Sequence, residues 1–142
     1  MINLKTMTQA VETLLEDNLE GYLIERNAER NVDPNKAARG AGWIGIYRGN
    51  VRYEPYTTGS APWRVLIEIK VEVQRASMQS GADAEDKLED SVKAVMDVLT
   101  ANKKLGNTVG TTIGYRIDYE FNSEEKIWHH AGIITISAET RA

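Results

Sequence analysis

From Trp63 to Gln74 the chain alternates between two kinds of residue without a break. Val65, Ile67, Ile69, Val71 and Val73 stand in one phase, and Leu66, Glu68, Lys70, Glu72 and Gln74 in the other. Successive side chains on a strand point to opposite faces, so this spacing predicts a long, half-buried β-strand. A polar turn follows over Ser77 to Ala82, and then a helix over Asp83 to Lys104. The apolar face of that helix is Ala84, Leu88, Val92, Val95 and Leu99, with Met96 and Val98 beside it. Asp83, Glu85 and Asp86 fall in its first turn and Lys103 and Lys104 at its end, as the helix dipole favours. Leu105 and Gly106 close it.

Two β runs complete the second half. Ile113, Tyr115, Ile117, Tyr119 and Phe121 alternate with polar residues and predict another half-buried strand. Ile127 to Ala138 is apolar in both phases, which predicts a strand covered on both faces. The tail, Glu139 to Ala142, reads as loose.

The first half is less regular. Leu4, Met7, Val11, Leu14, Leu15 and Leu19 recur at helical spacing, with Gly21 as a stop. Tyr22, Leu23 and Ile24 form a short strand or the packed exit of that helix. Asn27 to Gly42 reads as a long loop, and Pro55 to Pro62 as a second one. Between them, Trp43 to Arg48 and Val51 to Glu54 flank Gly49-Asn50, which predicts a β-hairpin with a primed turn. The whole is one domain over residues 1–142 of the α+β class. Its sheet is mixed and mostly antiparallel, of four to five strands, with two main helices packed on it.

Composition narrows the function. The net charge of −4 carries no overall signature of a nucleic-acid binder. The charge is uneven, however. Arg26, Arg30, Lys36, Arg39, Arg48 and Arg52 face only Glu29 and Asp33 in the same stretch, so one basic segment sits on an acidic body. That points to charge-complementary contact with a partner. Cysteine is absent, which removes disulfides, thiolate zinc sites and thiol nucleophiles. No signal peptide and no membrane-spanning run is expected.

No motif for chemistry survives inspection. Gly40-Ala41-Gly42-Trp43-Ile44-Gly45 matches the spacing of a dinucleotide fingerprint. It lacks the preceding strand and the following helix that would hold a pyrophosphate, and a flexible loop with a β-bulge accounts for it better. Residues 106–114 are rich in glycine and threonine, but no lysine follows to reach a phosphate. His129 and His130 are adjacent on a strand, point to opposite faces and do not chelate one metal; a histidine packed beside Trp128 is the simpler reading. Asp83, Glu85, Asp86, Glu89 and Asp90 form the acidic start of a helix, with Lys87 and Lys93 nearby. The expectation is therefore no enzyme, no cofactor and no metal.

The remaining constellation is aromatic and basic. Trp43, Tyr47, Tyr53, Tyr56 and Trp63 interleave with Arg48, Arg52 and Arg64. Tryptophan, tyrosine and arginine are the residues enriched in protein–protein hot spots. The same set fits a small module for single-stranded nucleic acid, by base stacking over a positive groove. The acidic balance elsewhere favours the protein interface. Its candidate residues are Arg26, Arg30, Lys36, Arg39, Trp43, Tyr47, Arg48, Arg52, Tyr53, Tyr56 and Trp63.

The element order resembles that of the tail terminator proteins of long-tailed bacteriophages, the minor tail protein U-like or head–tail joining family. The matching parts are the helix ending at Leu19, "WRVLIEIKVEVQ", "ADAEDKLEDSVKAVMDVL", and the closing pair "TTIGYRIDYEF" and "WHHAGIITISAET". The resemblance implies a virion protein assembled in a host cytoplasm. It implies a closed ring of copies of itself, usually six, that caps the head-proximal end of a tail tube and stops its polymerisation. The ring would dock head completion or connector proteins and pass DNA through its lumen without specific binding. Another neck or tail completion protein is the neighbouring alternative. The family has no shared active-site residues, so none transfers. A ring needs two different surfaces that meet and close, and a long strand with a free edge plus aromatic loops would supply them.

Overall fold

The long alternating run forms the centre of a five-stranded sheet in the computed structural model, which describes residues 2–26, 42–56, 59–124 and 127–142. The elements are α1 (Leu4–Asn18), β1 (Tyr22–Arg26), β2 (Gly42–Pro55), β3 (Trp63–Ser77), α2 (Gly81–Ala101), β4 (Thr111–Glu124) and β5 (Ile127–Arg141). The strand order is β1-β2-β3-β5-β4. Only β1 and β2 run parallel; the other pairs are antiparallel. The fold is α+β, as the sequence predicts.

Both helices lie on one face of the sheet. Met7, Val11 and Leu15 of α1 and Leu88, Val92, Val95 and Leu99 of α2 join one buried cluster. From β3, Val65, Ile67, Ile69, Val71 and Val73 enter the same cluster, and Ile44, Ile46, Ile134 and Ile136 enter it from β2 and β5. Helix α2 lies close on β5 because Gly132 leaves room: a Cβ there would stand 2.9 Å from Val92 Cγ2. The Ser91 hydroxyl, itself buried, accepts from Tyr22 Oη at 3.0 Å and from Arg75 at 2.7 Å, tying α2 to β1 and β3.

The helix ends follow capping chemistry. Asn3 accepts from the Thr6 amide at 3.1 Å and Ser80 from the Asp83 amide at 3.0 Å. Helix α2 begins at Gly81 and ends at Ala101, which is earlier at both ends than its charge pattern suggests. Asp83 alone is acidic in the first turn, and Lys103 and Lys104 lie past the Asn102 cap. Asp83 accepts from Ser77 Oγ at 2.6 Å and pairs with Lys87 at 3.1 Å, and these partners hold its carboxyl below the usual range. No helix among the described residues is long and apolar enough to cross a membrane.

Four expectations need correction. Gly49-Asn50 is not a hairpin turn. Residues 42–55 form one strand, and Arg48 opposes Ile69 while Val51 opposes Ile67, so Gly49 and Asn50 together face Glu68 as a β-bulge. Gly49 allows this because its backbone approaches the Glu68 Cβ to within 2.8 Å of where a Cβ would stand. The β3 strand is buried in both phases near its end, where Glu72 and Gln74 are covered. The tail is not loose. Residues 139–141 continue β5, and Ala142 exchanges both backbone hydrogen bonds with Trp63, at 3.0 and 2.9 Å. The long strand of the sequence has no free edge, since β3 is interior; the long strand at an edge is β4. Of the predicted 27–42 loop, Gly42 opens β2, and the rest lies outside the described residues.

Candidate assembly interface

The basic aromatic residues divide into two groups, separated by whether a neighbouring strand covers them. Trp43 is only 2% exposed. Its ring lies across Gly45, where no side chain fits, and its Nε1 donates to Glu25 Oε2 at 3.1 Å. Tyr47 is half-buried and donates to Glu72 Oε1 at 3.2 Å; Gln74 Nε2 donates to the other oxygen of that buried carboxylate. Arg26, at the end of β1, reaches Glu12 of α1 at 3.9 Å. Trp43 is thus buried within the chain, and Tyr47 is bonded within it while staying half-buried. Arg30, Lys36 and Arg39 lie outside the described residues.

The second group gathers at one corner of the sheet, where β2 ends and β3 begins. Tyr53, Tyr56 and Trp63 are 44%, 50% and 44% exposed. Tyr53 and Trp63 meet edge to face with centroids 6.3 Å apart. Arg141 places its guanidinium 4.0 Å over the Tyr56 ring and donates to the Ala61 carbonyl at 3.0 Å. Arg52 pairs with Glu54 at 2.8 Å, and Arg64 with Glu54 at 3.6 Å and Glu139 at 3.0 Å. Two guanidinium groups, Arg52 and Arg64, thus share two carboxylates, and Arg141 has none. Arg48 is exposed farther back on β2, roughly 20 Å away by strand rise.

This corner has an unpaired edge. β1 pairs with β2 only as far as Ile46, so among the described residues β2 has no strand beside it over residues 47–55. The bulge at Gly49-Asn50 falls just inside that edge.

A second corner escaped the sequence reading. Ile113, Tyr119 and Phe121 were expected on the buried phase of their strand, yet they are 51%, 46% and 56% exposed. Their strand, β4, is an edge strand, and its ends run past the cover of α2. Tyr119 and Phe121 lie parallel with centroids 6.2 Å apart, and Phe121 meets His130 edge to face at 4.8 Å. With Glu85, Leu88 and Glu89 of α2 they enclose a notch of about 240 Å³. Glu85 and Glu89 are exposed and form no ion pair among the described residues. His130 is buried, its Nδ1 has no partner, and burial holds its pKa below the ordinary value. Arg141 also belongs to the first corner without a sequence signal of its own, and Arg64, read there among the interleaved arginines, joins it though it is not among the candidate interface residues. The alternation of Ile136, Ala138, Thr140 and Ala142 was the signal that the last strand continues.

Among the described residues no group of three or more histidine or acidic side chains is close enough to hold a metal ion. The features that remain are two apolar, aromatic corners on unpaired strand edges of an α+β domain.

No family model and no curated protein matches the sequence. Solved structures do match. One is similar over 96% of this chain and 91% of its own, with 7% identity and a TM-score of 0.34, and is titled "Virion of native gene transfer agent (GTA) particle".

Proposed function

We propose that this chain is a structural subunit of a tailed, phage-like particle and works by self-assembly rather than catalysis. In its sharper form, the reading is a tail terminator. Copies close into a ring, six in number, on the head-proximal end of the tail tube. The ring ends tube growth, presents a docking surface to head completion proteins and passes DNA without specific binding. The alternative within the same class is another neck or tail completion protein.

The observation that carries this reading is the pair of exposed aromatic corners on unpaired strand edges. Aromatic and arginine side chains left exposed in clusters are the composition of protein contact sites. The element order supports the terminator form: a helix enters a short strand, a long strand leads into an amphipathic helix, and a hairpin closes a mixed sheet. The single-stranded nucleic acid reading is weakened by Glu54 and Glu139, which neutralise two of the three guanidinium groups beside the rings.

Light scattering over a wide concentration range tests self-assembly. A closed oligomer of about six times the 15.9 kDa chain is expected. Tail tube protein polymerised in its presence should give shorter, capped tubes. Unchanged tube lengths overturn the terminator reading. Arg48→Glu with Arg52→Glu should block assembly and leave the fold intact; normal assembly of that double variant removes this segment from the interface.

A further inference from the structure

We propose that copies of this chain meet head to tail, the Tyr119–Phe121 corner of one copy receiving the Tyr53–Tyr56–Trp63 corner of the next. The inference rests on the self-assembly reading and names both of its surfaces.

The two corners lie diagonally across the sheet. Tyr119 opposes Gly132, which opposes Val73, ten residues along β3 from Trp63. At the rise of a strand, and with three strand spacings between β2 and β4, the separation is roughly 35 Å. One corner cannot fold onto the other within a chain. A complementary pair of surfaces held that far apart is satisfied only between copies.

The corners are complementary in charge. The β4 corner carries Glu85 and Glu89 with no ion pair among the described residues, whereas at the β2–β3 corner Arg52 and Arg64 are matched by Glu54 and Glu139 and Arg141 is left without a carboxylate. Their shapes correspond as well. The β4 corner is a notch walled by two rings and floored by Leu88, with room for an aromatic ring. The other corner projects Trp63 and Tyr56 as knobs. The Tyr56 ring entering the notch brings Arg141, which lies over it, near Glu85 and Glu89 and the aromatic walls, where a cation is attracted.

The contact is made by side chains rather than by continuing the sheet. The edge at each corner carries a bulge, at Gly49-Asn50 on β2 and between Thr112 and Gly114 on β4. Bulges twist an edge away from backbone pairing. Two different surfaces meeting head to tail form a closed ring where the rotation closes and an open fibre where it does not. Bulged edges suppress unregulated strand-to-strand growth.

The test uses one variant for each corner, Trp63→Ser and Phe121→Ser, with circular dichroism melting to check the fold. Glu89→Gln and Arg141→Gln, which remove a charge without reversing it, repeat it without removing a ring. By light scattering or sedimentation, each variant alone should stay monomeric at more than about 30-fold the concentration at which the parent associates. An equimolar mixture of the two should form a dimer and stop there, because each chain keeps one intact corner. Variants that retain the parent's oligomer, or a mixture that stays monomeric, overturn the pairing while self-assembly stands. A parent that is monomeric at every concentration overturns both.

Discussion

The two halves of β2 use the same residue types for opposite purposes. Residues 42–46 lie between β1 and β3, and Trp43 there is sealed against Gly45 and bonded to Glu25. Residues 47–55 have β3 on one side alone among the described strands, and Tyr53 there is exposed against Trp63. Trp43 in the first half is sealed into the fold; Tyr53 in the second is left exposed. What separates them is the end of β1 at Arg26, followed by the bulge at Gly49-Asn50. The presence of a neighbouring strand, rather than the residue itself, decides the role.

The sharpest way to break this contrast is to truncate one tryptophan on each side. Trp43→Ala should cost about 3–5 kcal/mol, as removal of a large buried aromatic does. Trp63→Ala should change stability by no more than about 0.5 kcal/mol, as an exposed position does, while weakening self-association. Urea unfolding of the two variants reads the difference directly. Equal costs would mean that both rings serve the core. Gly45→Ala is the next largest effect. A methyl there overlaps the Trp43 ring, and overpacking of this kind costs about 1–3 kcal/mol. Gly59→Ala is no control for it, because Gly59 has a φ of +136° that an alanine tolerates poorly. Gly114, with open space around its backbone, is the better one.

The β4–β5 corner offers a smaller version of the same contrast along a pH axis. Phe121 and His130 oppose each other across the strand pair, one exposed and one buried. Burial lowers the His130 pKa, so the unfolded chain binds its proton more readily than the folded one. The stability linked to His130 is therefore complete above the unfolded histidine pKa and declines as pH falls from there toward the lower folded value. His130→Gln should flatten that part of the stability–pH curve. A curve with the same slope in both proteins would assign the acid sensitivity elsewhere, with Asp83 the first group to examine at lower pH.

Much of this architecture was legible in the sequence, for physical reasons that also mark where legibility stops. Period two and period 3.6 found β3, β5 and both helices because their buried faces are apolar, and found β4 because its apolar residues alternate even where they are exposed. The predicted buried face of α2 is buried throughout. Periodicity is silent about which strand borders which. It therefore placed Tyr119 and Phe121 on a buried phase, although β4 lies at an edge. Nor does it show that Trp43 is buried, with Glu25 of β1 bonded to its indole. Gly-Asn between two apolar runs has the composition of both a hairpin turn and a bulge. Only the register against Glu68 separates them. Arg141 reads as part of a frayed end because a short polar tail carries little pattern, and the anchor of that tail, Trp63 against Ala142, is 79 positions away in sequence.

The smallest effect on stability, and the most specific probe of the edge, is deletion of Asn50. Two residues of β2 now stand opposite Glu68; with one removed, Val51 keeps its place opposite Ile67 and the strand becomes regular. Residues 51–55 retain their faces, so Tyr53 and the core contact of Val51 are unchanged. What changes is the edge, which loses its extra twist and presents a flat row of backbone donors and acceptors over residues 47–55. If the bulge guards that edge, the deletion variant should fold like the parent but form fibrous or polydisperse aggregates at concentrations where the parent gives a discrete species. Static light scattering and a β-specific infrared band would report the change. A deletion variant with the parent's oligomer and no aggregation would show that the bulge serves the local fit of Gly49 on Glu68 alone, and that side chains by themselves keep the two edges apart.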